Sequence, residues 1–249
     1  MATSRGFNAR VVDWAQTRDC RFDFDRVPEL LERVERQADA EAWRELGWRL
    51  VLEHDLVSPA SFAALPRLVR LAPRSAEARG LAGRILERAA GPHGCDDLLA
   101  DCACAIAEFG VVLDRHLQSR PADYLVAFRA LLAVKEEYHW ANALEGFKDD
   151  INGVDCPHCG VGVTIAIGDF GCYAQVWDGG KETRRGLMPA AGEKLTGTGR
   201  WMHRITVRDG QEVLASGIAH LFGEAECPRC ASVFNVADEY TSANRPVMW

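Results

Sequence analysis

The chain has 249 residues, a formal charge of −7 and a pI near 5.5, so it is long enough for one large domain or two ordinary ones with a substantial core. The acidic balance disfavours a nucleic-acid partner, since broad binding to a phosphate backbone needs a basic footprint. The longest apolar stretch, "CACAIAEFGVVL", is interrupted by Glu108 and falls short of the roughly 18 residues of a membrane span, so no membrane partner is expected.

The first twenty residues, "MATSRGFNARVVDWAQTRDC", lack the basic-then-apolar order and the small-residue cleavage site of a secretory signal. A cytoplasmic protein is the expectation. In that compartment nine cysteines point to metal before redox work, and not to a disulfide framework. Basic residues are almost all arginine, with lysine only at 135, 148, 181 and 194.

From about 27 to 149 apolar residues recur at three- and four-residue spacing, which predicts helices. "VPELLERVERQ" aligns Val27, Leu30, Leu31 and Val34, and "AEAWRELGWRLVLEHD" aligns Trp43, Leu46, Leu50 and Val51. Ser58-Pro59 is an N-cap followed by proline at the first helical position, opening "ASFAALPRLVRLA". Pro66 lies inside that pattern and is expected to kink it, because it lacks a donor and crowds the carbonyl four residues back. Ser75 caps the next helix, whose inner face carries Leu81, Ile85 and Ala89. Two further helices are expected at about 95–118 and 121–136.

Paired helices with short turns and a proline in "ALPRLVRLA" resemble a HEAT- or armadillo-like array over about residues 27–149. An irregular helical bundle is the alternative reading. After Asn152-Gly153 the texture changes, and a boundary near 150 is expected, dividing 1–150 from 151–249. "VGVTIAIG" and "CYAQVWDGG" read as strands, whereas "GTGRWMHRITVRDG" and "QEVLASGIAHLFG" return to a helical period. "ASVFNVADEY" reads as a strand followed by a tail. The fold class expected is mainly α, a helical-repeat array followed by a small α+β module.

Cys156, Cys159, Cys227 and Cys230 form two C-x2-C knuckles, "CPHC" and "CPRC", with 67 residues between them. Four thiolates complete a tetrahedral shell for Zn2+, and each two-residue spacer lets one tight turn aim two sulfurs at one ion. The knuckles resemble those of a zinc ribbon, although an ordinary ribbon has roughly 15–20 residues between them and Ala231 stands where the first knuckle has Gly160. Either the ribbon carries a large insertion or the knuckles serve separate sites. A redox reading demands that the attacking thiolate begin a helix, and "GVGVTIAIG" is a poor helix start. Four-cysteine iron–sulfur ligation is chemically open. A four-thiolate shell has no position for water or substrate, so its role is structural. His158 reads as a solvent-facing knuckle residue.

His93, Cys95, Cys102 and Cys104 are close in sequence, but Cys104 is rotated by about 200° from Cys102 on a helix. They read as buried structural thiols. Cys20 and Cys172 have no partner in sequence.

No nucleophile elbow, phosphate loop, dinucleotide fingerprint or H-E-x-x-H pair occurs, and no catalytic residue is assigned. Two clusters are possible interfaces. "KEEYHWAN" gathers Glu136, Tyr138, His139 and Trp140 at an expected helix-to-helix turn, as acid and base or as interface anchors. "RWMHRITVR" puts Arg200, Arg204 and Arg208 on one helical face. The plan resembles helical-repeat proteins with a terminal zinc ribbon found in high-GC bacteria. That resemblance implies a non-catalytic protein-binding protein with a structural zinc, in one form an immunity protein that occludes a toxin. A nucleic-acid-directed zinc-ribbon protein is the alternative, and an enzyme using a groove beside the zinc module ranks third.

Overall fold

The computed structural model describes residues 12–37, 39–52, 56–89, 94–149, 151–169 and 171–244. His93 lies outside them. The fold is mainly α with a small antiparallel sheet region towards the C-terminal part. Contacts divide the chain into two units. The first runs to Leu117 and takes Pro121–Tyr138; the second takes Gln118–Arg120 and the chain from His139 on.

The first unit is helical. It contains α1 (Arg26–Arg36), α2 (Ala40–Leu50), a minimal hairpin of β1 (Val51–Leu52) and β2 (Leu56–Val57), α3 (Pro59–Leu71), α4 (Ala76–Glu87), α5 (Asp96–Asp101), α6 (Ala103–Gln118) and α7 (Tyr124–Val134). Helix α1 packs on α2, α3 on α4, and α4 on α7, with α1 against α3 and α2 against α4. The apolar stripes do this work. Val27, Leu30, Leu31 and Val34 of α1 are buried, as are Leu46 and Leu50 of α2, whereas Trp43 is only half-buried.

Polar side chains start and clamp these helices. Asp39 accepts from the Ala42 amide at 2.9 Å, capping α2, and takes the Arg33 guanidinium of α1 at 2.6 Å. Arg26 reaches across to Glu45 at 2.7 Å. Arg49 lies between Glu45 and the buried carboxylate of Asp19, which also accepts from the amides of Arg21 and Asp23. At the start of α3, the Ser58 amide donates to Ser61 Oγ at 2.9 Å.

Helix α3 runs through Pro66 as one element. Proline supplies no N–H, so the Phe62 carbonyl four residues back loses its helical donor. The thiol of Cys102 donates to that carbonyl at 3.3 Å. Cys102 is buried, and burial followed by the charge of Asp101 pushes its pKa up to about 11, keeping the proton on the donor. The same residue divides the single helix expected at 95–118 into α5 and α6, for it is the C-cap of α5. The helix expected at 121–136 is shorter, because Pro121 accepts from the Tyr124 amide in a turn before α7 begins.

The second unit takes α8 (Tyr138–Asp149) from His139 on and continues through a sheet of β3 (Ile151–Asp155), β4 (Gly162–Gly168), β5 (Gly171–Asp178) and β6 (Lys181–Gly186), antiparallel in that order. Helices α9 (Gly197–Arg208) and α10 (Glu212–Leu221) follow, then a hairpin of β7 (Glu224–Glu226) and β8 (Val233–Asn235), and α11 (Val236–Ala243). The segment read as a tail is therefore helical, capped by Asn235, whose side chain accepts from the Asp238 amide at 3.1 Å. Strands β4 and β5 turn Val163, Ile165, Ile167, Ala174 and Val176 into the core. Helix α10 packs on β4, α11 on β3, and α9 on α10.

One close approach ties the second hairpin to the sheet. Met188, just after β6, exchanges hydrogen bonds with Glu224 at 2.9 Å in both directions. Gly223 permits it, since a Cβ there would lie 2.2 Å from the Met188 carbonyl oxygen.

Two predictions follow from the first unit. Cys102→Ala removes the thiol's bond to the Phe62 carbonyl and should cost about 0.5–1.5 kcal/mol, while Cys102→Ser retains a donor and recovers part of it; urea unfolding of both variants reads the difference. The second concerns acid. Arg26 holds the Glu45 carboxyl down to about 2, Arg67 holds Glu35 below its usual value, and the Ala42 amide and then Arg33 do so for Asp39. Folded values below unfolded ones mean stability present above the ordinary carboxylate range and lost as pH falls through the folded values. The urea midpoint should drop between about pH 5 and 2, with a shallower drop in Arg26→Gln.

Candidate metal centre

The two C-x2-C turns are built alike. In the first, between β3 and β4, the Cys156 amide donates to the Val161 carbonyl at 2.9 Å and the Gly160 amide to the Cys156 carbonyl at 2.8 Å. In the second, between β7 and β8, the Cys227 amide donates to Ser232 and the Ala231 amide to Cys227, both at 2.9 Å. Closing such a turn needs a left-handed residue after the second cysteine. Gly160 has φ 69° and Ala231 has φ 60°, so the alanine bears a conformational cost that the glycine does not.

Cys156 and Cys227 are buried, while Cys159 and Cys230 are exposed at the turn tips. Their four sulfurs lie within 4.8 Å of one another, and the pairs Cys156–Cys230 and Cys159–Cys227 are each 3.8 Å apart. A tetrahedron with metal–sulfur bonds of about 2.3 Å has an edge of about 3.8 Å. The four cysteines therefore form one group with the size and donor type to hold a metal ion, rather than two separate sites. His158 is exposed and outside the group.

The surroundings of the sulfurs differ in proton affinity. Ser232, through its hydroxyl and then its amide, lowers the Cys230 thiol to about 6. At Cys159 the Val161 amide pulls downward, but partial desolvation and the other three thiols outweigh it and raise the group to about 11. Burial raises Cys227 against the downward pull of the Cys230 and Arg229 amides. An ion entering this cluster meets a thiol at Cys230 that gives up its proton readily and two, at Cys159 and Cys227, that hold theirs. Ser232 was not foreseen from spacing, although its place two residues after Cys230 is where a knuckle's outer donor falls.

The redox requirement is not met in these turns: both knuckles run from strand to strand, with no helix starting at Cys156 or Cys227. Cys95 and Cys102 are buried, Cys104 is exposed, and they form no metal-holding group among the described residues. Cys20 donates to the Leu56 carbonyl at 3.6 Å.

The cluster 136–140 resolves into a cap and a core. Glu136 has φ 61°; its amide donates to Ala133 and that of Glu137 to Leu132, a pair of bonds that stops α7. Tyr138 and His139 begin α8, the tyrosine's pKa raised by burial and then by Glu136. Trp140 is buried, its ring 4.5 Å from Phe222 and 5.9 Å from Tyr240, so it anchors the interior of the second unit and presents no interface. The three arginines of α9 are exposed, as their spacing implied. Arg208 grips the buried Asp209 through two bonds of 2.7 and 2.9 Å, leaving Arg200 and Arg204 as the outward charges.

Compared with known protein families, curated proteins and solved structures, the chain matches none.

Metal affinity should rise steeply with pH. Below the raised values of Cys159 and Cys227 both thiols hold protons that the ion must displace, so affinity gains about 100-fold or more per pH unit near neutrality. Below about 6 Cys230 takes up its own proton and the dependence steepens. Competition with a chromophoric chelator between about pH 6 and 8 measures the slope; a pH-independent affinity would contradict a thiolate site.

Proposed function

We propose that the protein is a non-catalytic, zinc-stabilised binding protein working in the cytoplasm, with its helical unit as the binding surface and its second unit closed by a structural Zn2+. The observation that carries the reading is the four-sulfur group with 3.8 Å edges, a complete shell with no place for a substrate or an activated water. The preference for zinc over iron rests on the same donor set: zinc takes four thiolates without redox chemistry in a compartment that keeps cysteines reduced. Zinc-ribbon and HEAT-like architecture are part of this reading, and an immunity-type binder that occludes a toxin is one form of it.

Rows of packed helices support the binding half, because such rows offer long surfaces set by stacking. Within the 136–140 cluster, Glu136 lies in the turn that caps α7 and Trp140 fills a core.

Elemental analysis of the purified chain should find one zinc per molecule. Cys227→Ser with Cys230→Ser should lose it and unfold the second unit, seen as loss of the near-ultraviolet signal of Trp140. Zinc retained by the double variant would end the shared-site claim. Capture of a protein partner by the zinc-loaded full chain tests the binding half.

A further inference from the structure

Of the ten arginines from Arg26 to Arg84, seven are engaged. Arg26, Arg33, Arg36, Arg49, Arg67 and Arg70 each reach a carboxylate, and Arg79 donates to the Ala72 carbonyl at 2.8 Å. Arg44, Arg74 and Arg84 have no such partner among the described residues. All three line one furrow.

The furrow consists of two adjoining hollows of about 380 and 500 Å3 that share Ala40, Trp43 and Glu77. Arg74 borders the first, whose floor includes Val34 and Leu71; Arg44 and Arg84 border the second, floored by Leu81 and Val126. Val126 is 50% exposed and Trp43 half-buried, so apolar surface is open to solvent between unpaired cations. Partial desolvation against the hollow and then repulsion from Arg88 make the charge on Arg84 less favourable than usual, with Glu87 opposing. The carboxylates in the furrow are already engaged: Glu35 with Arg67, and Glu77 with the Ser75 hydroxyl at 2.9 Å.

On a chain of net charge −7, this leaves a local site where positive charge flanks an apolar floor. An incoming carboxylate would satisfy cations that the fold leaves unpaired, and an apolar side chain would cover the indole. A run of phosphates fits less well, since it would be set on apolar surface beside Glu77.

We propose that this furrow docks an acidic peptide segment of a protein partner, with an apolar side chain on Trp43 and flanking carboxylates on Arg44, Arg74 and Arg84. The proposal rests on the protein-binding reading above and specifies its surface and the partner's chemistry. Guanidinium–carboxylate pairing beside a covered aromatic is a combination that gives both affinity and register.

The test uses the zinc-loaded full chain and three fluorescent probes: a short synthetic peptide of alternating Glu and Leu or Phe, the same peptide with Lys for Glu, and a short single-stranded oligonucleotide. The acidic peptide should bind, shift the Trp43 indole resonance, and weaken with added salt. Arg44→Glu with Arg84→Glu should cut its affinity by about 100-fold, and the Gln pair at the same positions by about tenfold. Both arginines are exposed, and an unchanged thermal melt checks that each variant is folded. The Lys peptide should not bind. The proposal is overturned if the acidic peptide leaves Trp43 unmoved, if it binds the Glu variant as tightly as the wild type, or if the oligonucleotide binds more tightly through the same arginines. Capture of a native partner equally by wild type and the Glu variant would overturn the furrow while leaving the protein-binding reading intact. Failure of capture together with failure of the peptide would overturn both.

Discussion

Four sulfur atoms join two hairpins that stand 68 positions apart in the chain, and everything between them has to fold so that they can meet. The requirement is geometric before it is energetic. Each knuckle presets its own two sulfurs through a tight turn, so the remaining task is to bring two rigid pairs edge to edge. Strand β6 and the Met188–Glu224 bonds do this, by laying the start of the second hairpin against the end of the sheet that grows from the first. The four thiols that meet there form a group able to hold a metal ion across the junction the sheet has aligned.

The first unit is held by different means. Its helices bury apolar stripes, and the polar connections are arginine–carboxylate clamps from helix to helix and from helix to loop. A surface ion pair contributes little alone, but Arg26, Glu45, Arg49 and Asp19 form a linked set in which Asp19 is buried and fully engaged. Pro66 shows a similar economy. The donor it withholds from Phe62 comes from a thiol 40 positions away, which gives a buried cysteine a defined task.

What could be read in advance follows from the range of the forces involved. Ser58-Pro59, Ser75 and the stripe of α1 act over one or two helical turns, and their helices are where the local pattern puts them. The four metal-site cysteines were also legible, because knuckle spacing is local. A shared four-cysteine site was expected from ligand count, but the path that brings the knuckles together was not legible, since it depends on strands such as "KETRRG", whose charges hide an edge strand from any hydrophobic pattern. Trp140 misled for the same reason: beside Glu136 and His139 it looks like a surface anchor, and the residues that cover it, Phe222 and Tyr240, are far along the chain. The break at Cys102 and the helix after Asn235 depend on caps and long-range bonds that periodicity does not register.

The distance between the knuckles also sets a schedule. A ribosome adding about 5–20 residues per second needs roughly 3 to 14 s to travel from Cys159 to Cys227. For that interval the nascent chain displays a two-thiol half-site that can neither complete a tetrahedral shell nor hide its sulfurs. During that interval only half of the four-sulfur group exists, and the second knuckle has to meet a partner already in place.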